Sequence, residues 1–104
     1  MPRKYSIVIA DTSCFILLDK INELDILQKV FGTVTTTFEI SKEFNKPMPS
    51  WVNIRSADNH RFAELLKMEL DDGEASAIAL ALENDHSLLI LDDLKARKLV
   101  SKLT

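Results

Sequence analysis

The sequence predicts an α/β domain built on a mainly parallel sheet. Three observations lead there. Apolar, β-branched runs alternate with helical segments, the runs are near-continuous rather than alternating, and two of them end directly in carboxylates. Tyr5-Ser6-Ile7-Val8-Ile9-Ala10 is the first run, and it stops at Asp11 as a strand buried on both faces does. Asp11-Thr12-Ser13 offers three N-cap candidates ahead of Cys14 to Leu18, so a helix begins there. Asn22 is expected to open a second helix with Leu24, Leu27, Val30 and Phe31 on one face and Gly32 as its stop. Thr33 to Thr37 is rich in β-branched residues and reads as the second strand. Phe38 to Asn45 makes two helical turns before Lys46-Pro47-Met48-Pro49 breaks them. Trp51 to Ile54 is a short strand, and Asp58 to Leu70 carries Phe62, Leu65, Leu66 and Leu70 at helical spacing. Asp71 and Glu74 have capping-box spacing and open the alanine-rich helix from Ala75 to Glu83. Ser87 to Leu91 is the last strand, ending at Asp92-Asp93, and Leu94 to Leu103 is a closing helix.

Composition narrows the function classes. The 104 residues fit one domain, residues 1–104, with no linker or repeat. A chain of this size buries roughly 65% of its unfolded surface, enough for a core without staples. A lone cysteine, Cys14, excludes a disulfide scaffold. Thirteen Lys and Arg against sixteen Asp and Glu give a net charge of −3, which argues against a general nucleic-acid-binding surface. Apolar runs fall far short of the roughly 20 residues that span a bilayer. No apolar signal core follows Met1-Pro2-Arg3-Lys4. The expectation is a cytoplasmic protein with no membrane contact.

The acids carry the chemistry. In an open parallel sheet, sites form outside the carboxyl ends of the strands near a change in strand order. Asp11 follows the first strand and Asp92-Asp93 the last, while Glu43 and Glu74 stand on helices that can join them. Gathering four carboxylates costs several kcal/mol through repulsion and desolvation. A hard divalent cation offsets that cost, and an oxygen-only shell points to Mg²⁺ or Mn²⁺. Each acid also has a plainer reading. Asp11 and Asp92 suit N-caps, Glu74 a capping-box partner, and Glu43 a solvated helix position.

Taken together, four segments resemble a PIN domain. They are Asp11-Thr12-Ser13 after an apolar strand, Glu43-Phe44 after a threonine-rich strand, Leu70-Asp71-Asp72-Gly73-Glu74-Ala75-Ser76-Ala77-Ile78-Ala79-Leu80-Ala81, and Leu89-Ile90-Leu91-Asp92-Asp93-Leu94-Lys95-Ala96-Arg97. The most similar branch is the prokaryotic group related to the ribonucleases of toxin–antitoxin pairs, and the likeness runs from about Ile7 to the C-terminus. It implies a three-layer αβα sandwich around a mainly parallel four-stranded sheet, with the family's last strand and helix missing from a C-terminally short chain. It also implies a Mg²⁺- or Mn²⁺-dependent ribonuclease. By motif, Asp11, Glu43, Glu74 and Asp93 match the catalytic and metal-binding acids. Glu39 is the rival to Glu43, and Asp92 shares the metal or caps the helix. Ser13 resembles the hydroxyl that supports the first aspartate. Arg97, one turn after Asp93, is placed to reach a scissile phosphate or pair with the acids. The partners implied are an RNA substrate, an antitoxin-like protein and a second copy of the chain that covers an unfinished sheet edge.

Other readings compete. A non-catalytic PIN-like module acting through protein contacts also fits a short chain. A phospho-receiver domain needs a lysine after a fifth strand, and no strand follows Asp92-Asp93. An Asp-x-Asp phosphatase needs a second acid where Ser13 stands. Cys14 reads as a small buried thiol, His60 and His86 as surface or loop residues, and Trp51 as a packing anchor. The basic stretch from Lys95 to Lys102 reads as a solvated helix face, with phosphate contact as the alternative.

Overall fold

A computed structural model of the protein describes residues 5–90. It confirms the α/β class: four strands, all parallel, with five helices among the described residues. The order in the sheet is β3-β2-β1-β4, with β1 at Ile7–Ala10, β2 at Val34–Thr36, β3 at Val52–Ile54 and β4 at Ser87–Ile90. The chain builds outward from β1 through β2 to β3, then returns to the other side of β1 for β4. That reversal puts a change in strand order at the carboxyl ends of β1 and β4, the usual ligand position in open α/β sheets. Register is set by Ile9 opposite both Thr35 and Leu89. All four β1 residues are buried, as the unbroken apolar run demands.

The helices are α1 (Thr12–Lys20), α2 (Asp25–Phe31), α3 (Phe38–Phe44), α4 (His60–Leu66) and α5 (Asp72–Leu82). Asp11 caps α1 by accepting from the backbone N–H of Cys14, Thr37 caps α3 through Ile40, and Asp71 caps α5 through Glu74. Phe15 and Phe44 meet with ring centroids 5.7 Å apart and tilted by 40°, fixing how α1 crosses α3. Phe15 is fully buried. Trp51 packs against the core from its edge as expected, and Cys14 is half-buried rather than fully enclosed.

Three local expectations fail for physical reasons. Asn22 does not open α2. It takes a left-handed turn conformation, φ 57°, and the helix starts three residues later with no side-chain cap. Val30 is exposed while Leu27 is buried, so the apolar face of α2 is narrower than the sequence stripe. The helix expected from Asp58 to Leu70 spans only His60–Leu66, capped by Asn59, and the chain turns through Lys67, Met68 and Glu69. That turn lets Leu66 and Leu70 both reach the core while leaving Leu65 exposed. The closing helix expected over Leu94–Leu103 lies outside the described residues.

Candidate active site

Two chain segments converge on the Glu43 carboxylate. Thr12, the first residue of α1, donates its hydroxyl proton to Glu43 Oε1 at 2.7 Å. Gly73, in the first turn of α5, lies so close that a Cβ there would sit 1.8 Å from Glu43 Oε1 and 3.2 Å from Thr12 Oγ1. Asp11 immediately precedes Thr12, and Glu74 immediately follows Gly73. The fold therefore brings the backbone neighbours of Asp11 and Glu74 to the side chain of Glu43. Asp11 is 2% exposed, Glu74 is half-buried, and Glu43 is open to solvent.

A second layer of hydrogen bonds holds these segments together. Thr36 Oγ1 donates to the carbonyl of Ala10 at 3.1 Å, tying the carboxyl ends of β2 and β1. Ser76 Oγ donates to the carbonyl of Gly73 at 2.7 Å and lies 2.6 Å from Thr37 Oγ1. A serine hydroxyl has one proton, already given to Gly73, so Thr37 is the donor to Ser76. This buried chain joins the cap of α3 to the first turns of α5.

Glu39, the rival to Glu43, is engaged elsewhere. Its Oε2 lies 3.7 Å from Lys67 Nζ, which also contacts Glu64 Oε1 at 3.2 Å. The Lys67 ammonium is held above its ordinary 10.5, first by the Glu64 hydrogen bond and then by the fields of Glu64, Asp72 and Glu39, with burial opposing. Glu43 thus lies at the convergence point, and Glu39 is committed to an ion pair.

Ser13 is exposed on α1, and the hydroxyl that reaches across the site is that of Thr12. Asp92, Asp93 and Arg97 lie outside the described residues. Among the described residues, no group of three or more His, Cys, Asp or Glu side chains is arranged to hold a metal ion. The donor chemistry nevertheless fits a hard divalent cation, because the acids supply only oxygen and Glu43 rests in a cradle that any Cβ at position 73 would fill. Sequence reasoning missed Gly73, Ser76 and the part played by Thr12. The signal for Gly73 was available: glycine stands in the first turn of a helix that is otherwise alanine-rich.

Comparison with known proteins gives one family match. A family model described as a PIN domain covers residues 7–104. Neither the curated proteins nor the solved structures gave a significant match. No helix among the described residues is long and apolar enough to cross a membrane.

Proposed function

The chain belongs to the PIN-domain family, and on that premise we propose that it is a Mg²⁺- or Mn²⁺-dependent endoribonuclease acting as the toxin of a toxin–antitoxin pair. RNA phosphodiesters are hydrolysed at an acidic site formed by Asp11, Glu43, Glu74 and Asp93, with Asp92 as a further ligand and Ser13 and Arg97 in support. The family supports a nuclease role in general, and PIN domains generally use divalent metals. The observation that carries the finer reading is the meeting of Thr12, Glu43 and Gly73, because each stretch either contains or adjoins one of the acids.

When bound, the cation polarises a phosphoryl oxygen and lowers the pKa of water for in-line attack. The chain's own residues make that possible. Asp11 is fixed by capping α1 with Oδ1, Glu43 is steadied by the Thr12 hydroxyl, and Glu74 is set by the Asp71 cap at the start of α5. The exposure of Glu43 leaves the site open to a polymer substrate.

Asp11→Asn is the deciding variant. Asparagine caps helices as well as aspartate, so α1 persists while the charge is lost. Purified wild type is expected to cleave RNA in Mn²⁺, with cleavage lost on chelation and in Asp11→Asn at unchanged circular dichroism. Folded wild type that neither binds Mn²⁺ nor cleaves RNA sinks the proposal.

A second reading, a catalytically silent module working through protein contacts, draws on Ile16, Leu17, Ile21, Ile26 and Val30, all exposed on or between α1 and α2. The same surface supports the expected antitoxin-like partner or self-association. Solution mass together with Mn²⁺ titration separates the readings, since a contact module has no need of the cation.

A further inference from the structure

Gly73 occupies a helical position where glycine is a poor choice. It lies in the first turn of α5, its φ is not in the left-handed region, and alanine there would favour the helix. Backbone conformation therefore does not account for glycine. Space does. The Glu43 carboxylate lies in the volume that a Cβ at position 73 would take, with Oε1 1.8 Å and Cδ 2.9 Å from that point. Thr12 Oγ1 closes the other side, 2.7 Å from Glu43 Oε1.

We propose that Gly73 is a positioning residue for the second acid of the site. By lacking a side chain it forms the seat in which Glu43 rests against Thr12, and so fixes where that carboxylate is presented to the cation. The inference deepens the metal-dependent reading above and rests on it for its functional meaning. The obstructed group is the far end of a flexible side chain rather than backbone. Gly73→Ala therefore displaces the carboxylate while leaving α5 able to form. The expected signature is a folded protein with a misplaced acid.

The seat can be tested without metal or activity. In wild type, Thr12→Val removes a hydrogen bond to a carboxylate and raises the unfolding equilibrium constant roughly three- to tenfold in urea titrations. In a Gly73→Ala background the carboxylate has already left Thr12, so Thr12→Val has no such effect. Thr12→Ser keeps the hydroxyl and restores wild-type behaviour in the Gly73 background. Equal cost of Thr12→Val in both backgrounds overturns the seat. If Gly73→Ala alone does not fold, the double variant Glu43→Ala/Gly73→Ala decides: recovery of folding supports the seat, and continued failure overturns it. The metal arm uses Mn²⁺ alone, followed by electron paramagnetic resonance, and Gly73→Ala is expected to bind at least about tenfold more weakly than wild type. Unchanged Mn²⁺ affinity in folded Gly73→Ala refutes the positioning role. Wild type that binds no Mn²⁺ refutes the metal-dependent reading and with it that role, while the Thr12 cycle separately decides whether the seat exists.

Discussion

Ser76→Ala tests whether the hydroxyl chain beneath the site holds it together. Ser76 is 4% exposed and Thr37 fully buried, so neither hydroxyl can turn to water when its partner is removed. The substitution deletes two hydrogen bonds, Ser76 to the Gly73 carbonyl and Thr37 to Ser76. Each is worth about 1 kcal/mol net, and a buried donor left unpaired adds about 1–3 kcal/mol. Against this, alanine in a helix gains about 0.5 kcal/mol over serine. The net loss is about 2.5–4.5 kcal/mol, which for a domain near 100 residues lowers Tm by about 10–36 °C. Thr37→Ser keeps both the cap and the donor and loses less. Thr37→Val loses the cap as well, since Thr37 Oγ1 accepts from the Ile40 N–H at 3.2 Å. The double variant Ser76→Ala/Thr37→Val costs less than the sum, because the orphaned proton is gone. Urea and thermal unfolding followed by far-ultraviolet circular dichroism read all four proteins. A Ser76→Ala variant within about 0.5 kcal/mol of wild type, or strict additivity in the double, refutes the donor assignment and the linkage between α3 and α5.

Two further predictions address the acids. Glu43→Gln is expected to abolish Mn²⁺-dependent RNA cleavage with little change in stability. Glu39→Gln, which only loosens a partly exposed pair with Lys67, keeps cleavage and costs under about 1 kcal/mol; the reverse pattern in a cleavage assay would exchange their roles. Glu83 accepts from the backbone N–H of Asn59 at 2.7 Å and of Asp58 at 2.8 Å, which together hold its carboxyl below the ordinary 4.5. A depressed folded pKa stabilises above the unfolded value and loses that contribution as pH falls through the folded one. Glu83→Gln should therefore cost about 1 kcal/mol near neutral pH. Its deficit should shrink in unfolding titrations below about pH 4.5, whereas a gap constant with pH argues against the charged contact.

Strand positions were legible because burial on both faces leaves a continuous apolar record, as in Ile7 to Ala10. Caps were legible for the same local reason: Asp11 and Asp71 each stand one residue before a helix and bond three residues on. The extent of α4 was not, because Leu65, Leu66 and Leu70 keep helical spacing whether or not the chain turns at Lys67. Which glutamate on α3 faces the site was equally hidden. Glu39 and Glu43 are four residues apart and share one helix face, so spacing cannot separate them. Only the tertiary crossing of α1 and α3, set by Phe15 against Phe44, gives Thr12 to Glu43 and leaves Lys67 to Glu39.

Glu43 is badly placed for the helix that carries it. It lies in the last turn of α3, where unpaired carbonyls disfavour an anion by roughly 0.3–1 kcal/mol. Its carboxylate nevertheless ends beside Thr12 and Gly73, in the first turns of α1 and α5. Those are the positive ends of two other helices, each favouring an anion by a similar amount. Two favourable ends outweigh one unfavourable end, so the fold accepts the charge that α3 alone would reject. A glutamine at position 43 gives up the first contribution and escapes the second, which leaves the stability change small. The helix ends thus make an anion tolerable at this point without making it necessary for folding. What remains to account for a carboxylate there is the chemistry of the site, and that is why Glu43→Gln should separate cleavage from stability so cleanly.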